Sequence, residues 1–176
     1  MKKFLLVFAL FILSVKVYCQ DPLNPPLIDG FVTYIETVPT KLNKEELHGN
    51  MITWIANILP SDKTSVDLDD KENGKFVVTF EITRSFQSVM MTRYADLKYF
   101  LQVDIKDQEF RYKLRLLDHY HKPTSETVPE LIEIANGRME TNTNTRPYAS
   151  KQVMFISKIS NGLIESLKEN IQYVEN

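Results

Sequence analysis

The side chains in this sequence whose type and spacing could do chemistry fall into three groups. Asp118-His119-Tyr120-His121 is the histidine cluster, in a chain with three histidines. On a continuing strand His119 and His121 project to one face and could share a metal ion. Asp118 then points the other way and His48 belongs to a distant segment, so the third ligand a site normally needs is missing. Two histidines at a strand end are ordinarily solvated polar residues. Asp67, Asp69, Asp70 and Glu72 form a carboxylate cluster without the ligand order of a twelve-residue calcium loop, and read as a solvated turn. Arg111, Lys113 and Arg115 alternate along one strand, which puts three cations on one sheet face, with Phe100 as the aromatic on the neighbouring strand. No nucleophile motif, phosphate-cradling glycine loop or zinc-hydrolase pattern occurs. No catalytic residue is therefore assigned and no cofactor is expected. The binding candidates are Phe100, Arg111, Lys113 and Arg115, and the metal candidates His119 and His121.

The elements that position these residues follow from periodicity. Gly30–Val38 is rich in β-branched and aromatic residues and predicts a first strand, ended by Pro39. Asn43 with Glu46 three residues on has the spacing of a capping box, and Leu42 with Leu47 can form the accompanying staple. Leu47, Met51, Trp54, Ile55 and Ile58 then recur at helical spacing, a core stripe limited by Pro60. Four strands follow. Val66 and Leu68 mark a short one, closed by the turn Asp69–Gly74. Phe76, Val78, Phe80 and Ile82 alternate in the next, and Ser85–Tyr94 reads as loop or as its extension. Leu97, Tyr99, Leu101, Val103 and Ile105 form a third apolar ladder, and Phe110, Tyr112, Leu114 and Leu116 a fourth.

A two-residue turn at Asp107-Gln108 sets Ile105 opposite Phe110, Val103 opposite Tyr112 and Leu101 opposite Leu114, apolar against apolar throughout. On the other face it sets Asp104 against Arg111 and Gln102 against Lys113, so the basic row is expected to be largely answered in place. Asp-Gln is not a preferred turn pair. Residues 122–149 read as a long loop or insertion, with a short helix at Pro129–Asn136 ended by Gly137 and plain loop over Thr141–Pro147. Ser150 is expected to cap a last helix with Val153, Ile156, Leu163, Ile164, Leu167 and Ile171 on its apolar side.

The N-terminus reads as an export signal over residues 1–19: Lys2 and Lys3, then an apolar run Phe4–Leu13 too short to span a bilayer stably. Cleavage after Cys19 leaves Gln20 first; the alternative is lipid modification of Cys19, against which the bulky Tyr18 speaks, and a membrane partner is expected only in that case. Either way no cysteine remains in the fold. Residues 20–29 read as an extended linker and 30–176 as one domain. The chain is 43% hydrophobic and 25% charged with a formal net charge of −2, and loss of Lys2, Lys3 and Lys16 makes it more acidic. An exported acidic domain is not expected to bind nucleic acid, which calls for a basic surface.

Strand, helix, four strands, loop and helix predict an α+β, two-layer fold, a single antiparallel sheet with both helices on its apolar face and the other face solvated. At this point the sequence resembles a bacterial family of exported proteins classed as a domain of unknown function with a TATA-binding-protein-like fold. The resemblance spans roughly Gly30 to Tyr120. It is carried by the strand ending Val38-Pro39, the Leu47…Trp54 helix, the Asp69-Asp70…Gly74-Lys75 turn and the Asp107…Phe110-Arg111-Tyr112 hairpin. It implies the same element order and no established activity. DNA-binding proteins of this architecture use the open face in the minor groove, but fold analogy alone does not carry that function over. The expected role is a non-enzymatic binding or assembly module in the periplasm or outside the cell, meeting an unknown envelope protein or ligand through the open face or an edge of the sheet. The alternative is a small-ligand-binding protein or hydrolase with a pocket between the sheet and the 122–149 insertion.

Overall fold

The computed structural model describes residues 21–87, 92–120, 127–139 and 145–172; residues 1–20, with the expected export signal and Cys19, and His121 lie outside them. Alternating polarity becomes a six-stranded, wholly antiparallel sheet of β1 (Leu27–Ile28), β2 (Phe31–Pro39), β3 (Thr64–Asp70), β4 (Lys75–Gln87), β5 (Thr92–Lys106) and β6 (Glu109–Tyr120). The spatial order is β1-β2-β6-β5-β4-β3. Three helices, α1 (Lys44–Ile58), α2 (Val128–Ala135) and α3 (Thr145–Ile171), complete the α+β fold.

The inner face of the sheet is built from the predicted ladders. Phe76, Val78, Phe80, Ile82, Leu97, Tyr99, Leu101, Val103, Ile105, Phe110, Tyr112, Leu114 and Leu116 are all buried in one core with Leu47, Met51 and Trp54 of α1 and the apolar stripe of α3. The β5–β6 register is the expected one, Ile105 opposite Phe110, Val103 opposite Tyr112 and Leu101 opposite Leu114. The unfavoured Asp107-Gln108 turn has a tertiary reason. Gln108 takes φ +63°, its backbone joins Leu42 and Thr40, and the Asp107 carboxylate accepts the Lys44 N–H at the start of α1. The turn thus caps a helix that no local sequence rule connects to it.

Asn43 caps α1 through the expected capping box, and Leu42 and Leu47 are both buried. The stripe stops one turn early, however. Ile58 is 40% exposed, because the helix ends there and Leu59, at the C-cap, takes the buried place. A second capping box, Thr127 with Glu130, starts α2, and Gly137 at φ +70° follows it. The last helix begins at Thr145, five residues before the expected cap, so Ser150 is interior and Thr145–Pro147 belong to the helix and not to a loop. Pro147 fits because first-turn N–H groups have no intrahelical acceptor to lose.

The expected linker is also structured where it is described. Asp29 and Gly30 both have positive φ, 53° and 78°, and join β1 to β2 as a two-residue hairpin with Ile28 opposite Phe31, the geometry an Asp-Gly pair favours. Upstream, Ser157 of α3 donates to the Pro22 carbonyl and the Asn136 side chain to Leu23 and Asn24.

Candidate functional site: the outer sheet face

The outer face is a set of rows running across the strands. One row is Ser65, Thr79, Phe100, Arg115 and Thr33; the next is Leu68, Val77, Gln102, Lys113 and Ile35; a third is Asp70, Lys75, Asp104, Arg111 and Thr37. The four residues expected on this face are therefore brought together, with Phe100 directly opposite Arg115. They are not equivalent. Arg115 is held by the β1–β2 hairpin: its guanidinium lies 5.1 Å over the Phe31 ring and 3.6 Å from the Asp29 carboxylate. A cation stacked and paired in this way is partly spent within the fold.

Arg111 and Lys113 differ from Arg115 and from expectation. Their register partners are Asp104 and Gln102 as predicted, yet the Asp104 carboxylate accepts from the Gln102 amide, 3.1 Å away on its own strand. Among the described residues neither Arg111 nor Lys113 has an ion-pair partner. The short amide-to-carboxylate bond along β5 satisfies Asp104 without ordering a long arginine side chain, which is entropically costly. Beside these two cations, on β2, Ile35 is exposed; Ile28 and Phe31 extend the apolar surface along the same edge. Sequence reasoning missed this border because it read residues 20–29 as linker, although Asp29-Gly30 next to an apolar strand was the available hairpin signal.

The other candidates resolve differently. His119 is on β6 opposite Leu97 and half-buried. Among the described residues no group of three metal-ligating side chains converges. In the carboxylate run three of the four acids have partners of their own: Asp67 the hydroxyls of Ser65 and Thr79, Asp70 the backbone and side chain of Asn73, and Asp69 the distant His48. His48 lies on the inward side of α1, its Nε2 2.7 Å from Asp69 Oδ1 and its ring tilted against Phe76. Position 48 precedes Met51 by three residues, so the stripe itself could have placed it inward.

On the inner face of β5 and β6, two tyrosines seat α3. The Tyr99 hydroxyl is 3.0 Å from Ser160 Oγ, and the Tyr112 hydroxyl donates to Glu36, which also pairs with Lys168 at 2.5 Å. Burial pushes both phenols well above their usual range, and for Tyr112 the Glu36 carboxylate adds to it. These hydroxyls stay protonated and act as donors or acceptors, not as nucleophiles.

The sheet is open and antiparallel, with the helices on one face and charge on the other, as in a TATA-binding-protein-like, or TBP-like, fold. Residues 34–120 match the family described as "Domain of unknown function (DUF4468) with TBP-like fold", and the chain accordingly carries a DUF4468 domain. Two solved structures are similar over most of the chain. A TBP-like protein from Parabacteroides distasonis has a TM-score of 0.57 at 13% identity, covering 83% of this chain and 98% of its own. A DUF4468 family protein from Bacteroides ovatus has a TM-score of 0.57 at 13% identity, covering 88% and 99%. At that identity the likeness concerns the fold. No curated protein sequence matches the chain, and no described helix is long and apolar enough to cross a membrane.

Proposed function

We propose that this protein is an exported envelope component that works as a non-enzymatic binding or assembly module, receiving an acidic partner on the outer sheet face. The observation that carries the reading is the pair Arg111 and Lys113, two cations side by side on an ordered face with no ion-pair partner among the described residues and with exposed Ile35 beside them. Charge of one sign on a rigid surface selects and steers a partner of the opposite sign. The N-terminal apolar run behind Lys2 and Lys3 supports export. The pocket reading is weaker: within the 122–149 segment α2 turns Leu131, Ile132, Ile134 and Ala135 into the core, which is how a helix is seated and not how a cleft is lined.

The test is cross-linked capture from the native envelope with wild type and an Arg111→Glu, Lys113→Glu variant whose fold is checked by circular dichroism. A partner held by wild type and lost by the folded variant supports the reading. Recovery of the same partners by both proteins refutes it.

A further inference from the structure

The two ends of the sheet are finished in opposite ways. At one end β3 carries a bulge between Val66 and Leu68 and the acids Asp67, Asp69 and Asp70 along its short length, devices that discourage a further strand from adding. At the other end β1 covers only the first part of β2. The Thr33 N–H donates to the Pro26 carbonyl at 2.9 Å, so the odd residues of β2 direct their backbone groups away from β6. Pro25 and Pro26 then end β1, since proline has no N–H to continue a ladder, and the preceding chain turns off toward Asn136 and Ser157. The Pro39 carbonyl accepts from the Gln172 side chain. Between Thr33 and Pro39, Ile35 and Thr37 present N–H and C=O groups on that side with no backbone partner among the described residues, and both side chains are exposed.

Ile35 is in register with Lys113 and Thr37 with Arg111. A strand added beside β2 lies two strand spacings, about 10 Å, from β6, within reach of extended Lys and Arg side chains. We infer that the open stretch of β2 at Ile35 and Thr37 takes an extended peptide as an added strand in line with β1, its outward side chains acidic and facing Lys113 and Arg111. This rests on the acidic-partner reading above and specifies how the partner sits: main-chain hydrogen bonds give affinity, and alternate side chains give selectivity. A second copy of this chain is the poorer occupant. Antiparallel β2–β2 pairing would bring the Arg111 and Lys113 of two copies together, and like charges across an interface are unfavourable.

The probe is a short fluorescent peptide with blocked ends, alternating glutamate with valine and threonine, titrated into the full protein by anisotropy. Three weakenings of about tenfold or more are expected: with Thr37→Pro, which removes one edge donor and keeps every charge; with the Arg111→Glu, Lys113→Glu variant; and with wild type when the peptide is N-methylated at alternate residues. The last comparison needs no protein variant, so a folding defect cannot imitate it. Absence of saturable binding by wild type overturns the inference. Equal binding of the methylated peptide and by Thr37→Pro also overturns it, and if charge reversal still abolishes binding, the outer-face reading survives without the added strand. A wild-type dimer in sedimentation that Thr37→Pro dissolves makes a second copy the occupant and likewise overturns it.

Discussion

His48 Nε2 stands 2.7 Å from Asp69 Oδ1, tying the inward side of α1 to the far edge strand β3. The imidazole is buried while the carboxylate is half in solvent, so the two partners are unequal when removed. His48→Ala is expected to cost about 2–3 kcal/mol, from lost packing against Phe76 together with the lost hydrogen bond. Asp69→Asn, which keeps an acceptor that water can supplement, should cost under about 1 kcal/mol. Urea unfolding of the two variants measures the difference.

Trp54 is buried with its Nε1–H donating to Ser166 Oγ at 3.1 Å, so one residue joins α1, α3 and the sheet. Trp54→Ala should destabilise by about 3–5 kcal/mol. Loss under 1 kcal/mol would contradict its place in the core.

Gly74, at φ +66°, closes the β3–β4 turn; an added Cβ would meet the Ile105 carbonyl oxygen without room for either atom. Gly74→Ala is expected to cost about 1–3 kcal/mol, combining left-handed backbone strain and the clash. Gly162→Ala, inside α3 with open space around it, should stabilise by up to about 1 kcal/mol. Thermal melts of the pair give opposite signs.

Burial opposes ionisation of Glu36, but Lys168 and the Tyr112 hydroxyl outweigh it and hold its carboxyl below the ordinary value. A carboxylate depressed in the folded state contributes stability that is complete above its unfolded pKa and is lost as pH falls through the folded one. Acid titration of stability should therefore show a smaller loss on acidification in Glu36→Gln than in wild type. An unchanged slope would sink the assignment.

Export is expected to remove residues 1–19, and mass spectrometry of the protein recovered from outside the cytoplasm should find Gln20 first, as glutamine or pyroglutamate. A diacylglyceryl group on Cys19 would place it on a membrane surface instead.

Sequence by itself determined those features in which a local pattern has one physical solution. Period-two alternation in β4, β5 and β6 leaves a single way to bury Phe76 to Ile82, Leu97 to Ile105 and Phe110 to Leu116, and the two-residue turn at Asp107-Gln108 brings β5 and β6 into apolar register. The Asn43–Glu46 box likewise satisfies backbone donors within one turn of chain. Tertiary structure decided whatever depends on competition between distant groups. Asp107 caps α1 across 63 residues of sequence, which is why an unfavoured turn pair stands there. His48 finds Asp69 because α1 crosses toward β3. On the outer face, Asp104 had two neighbours to choose from and bonded Gln102, leaving Arg111 without an ion-pair partner among the described residues. The open edge of β2 arises in the same way: Pro25 and Pro26 end β1, but only the packing of residues 21–24 against α2 and α3 carries the chain off the sheet and leaves Ile35 and Thr37 uncovered by the described residues.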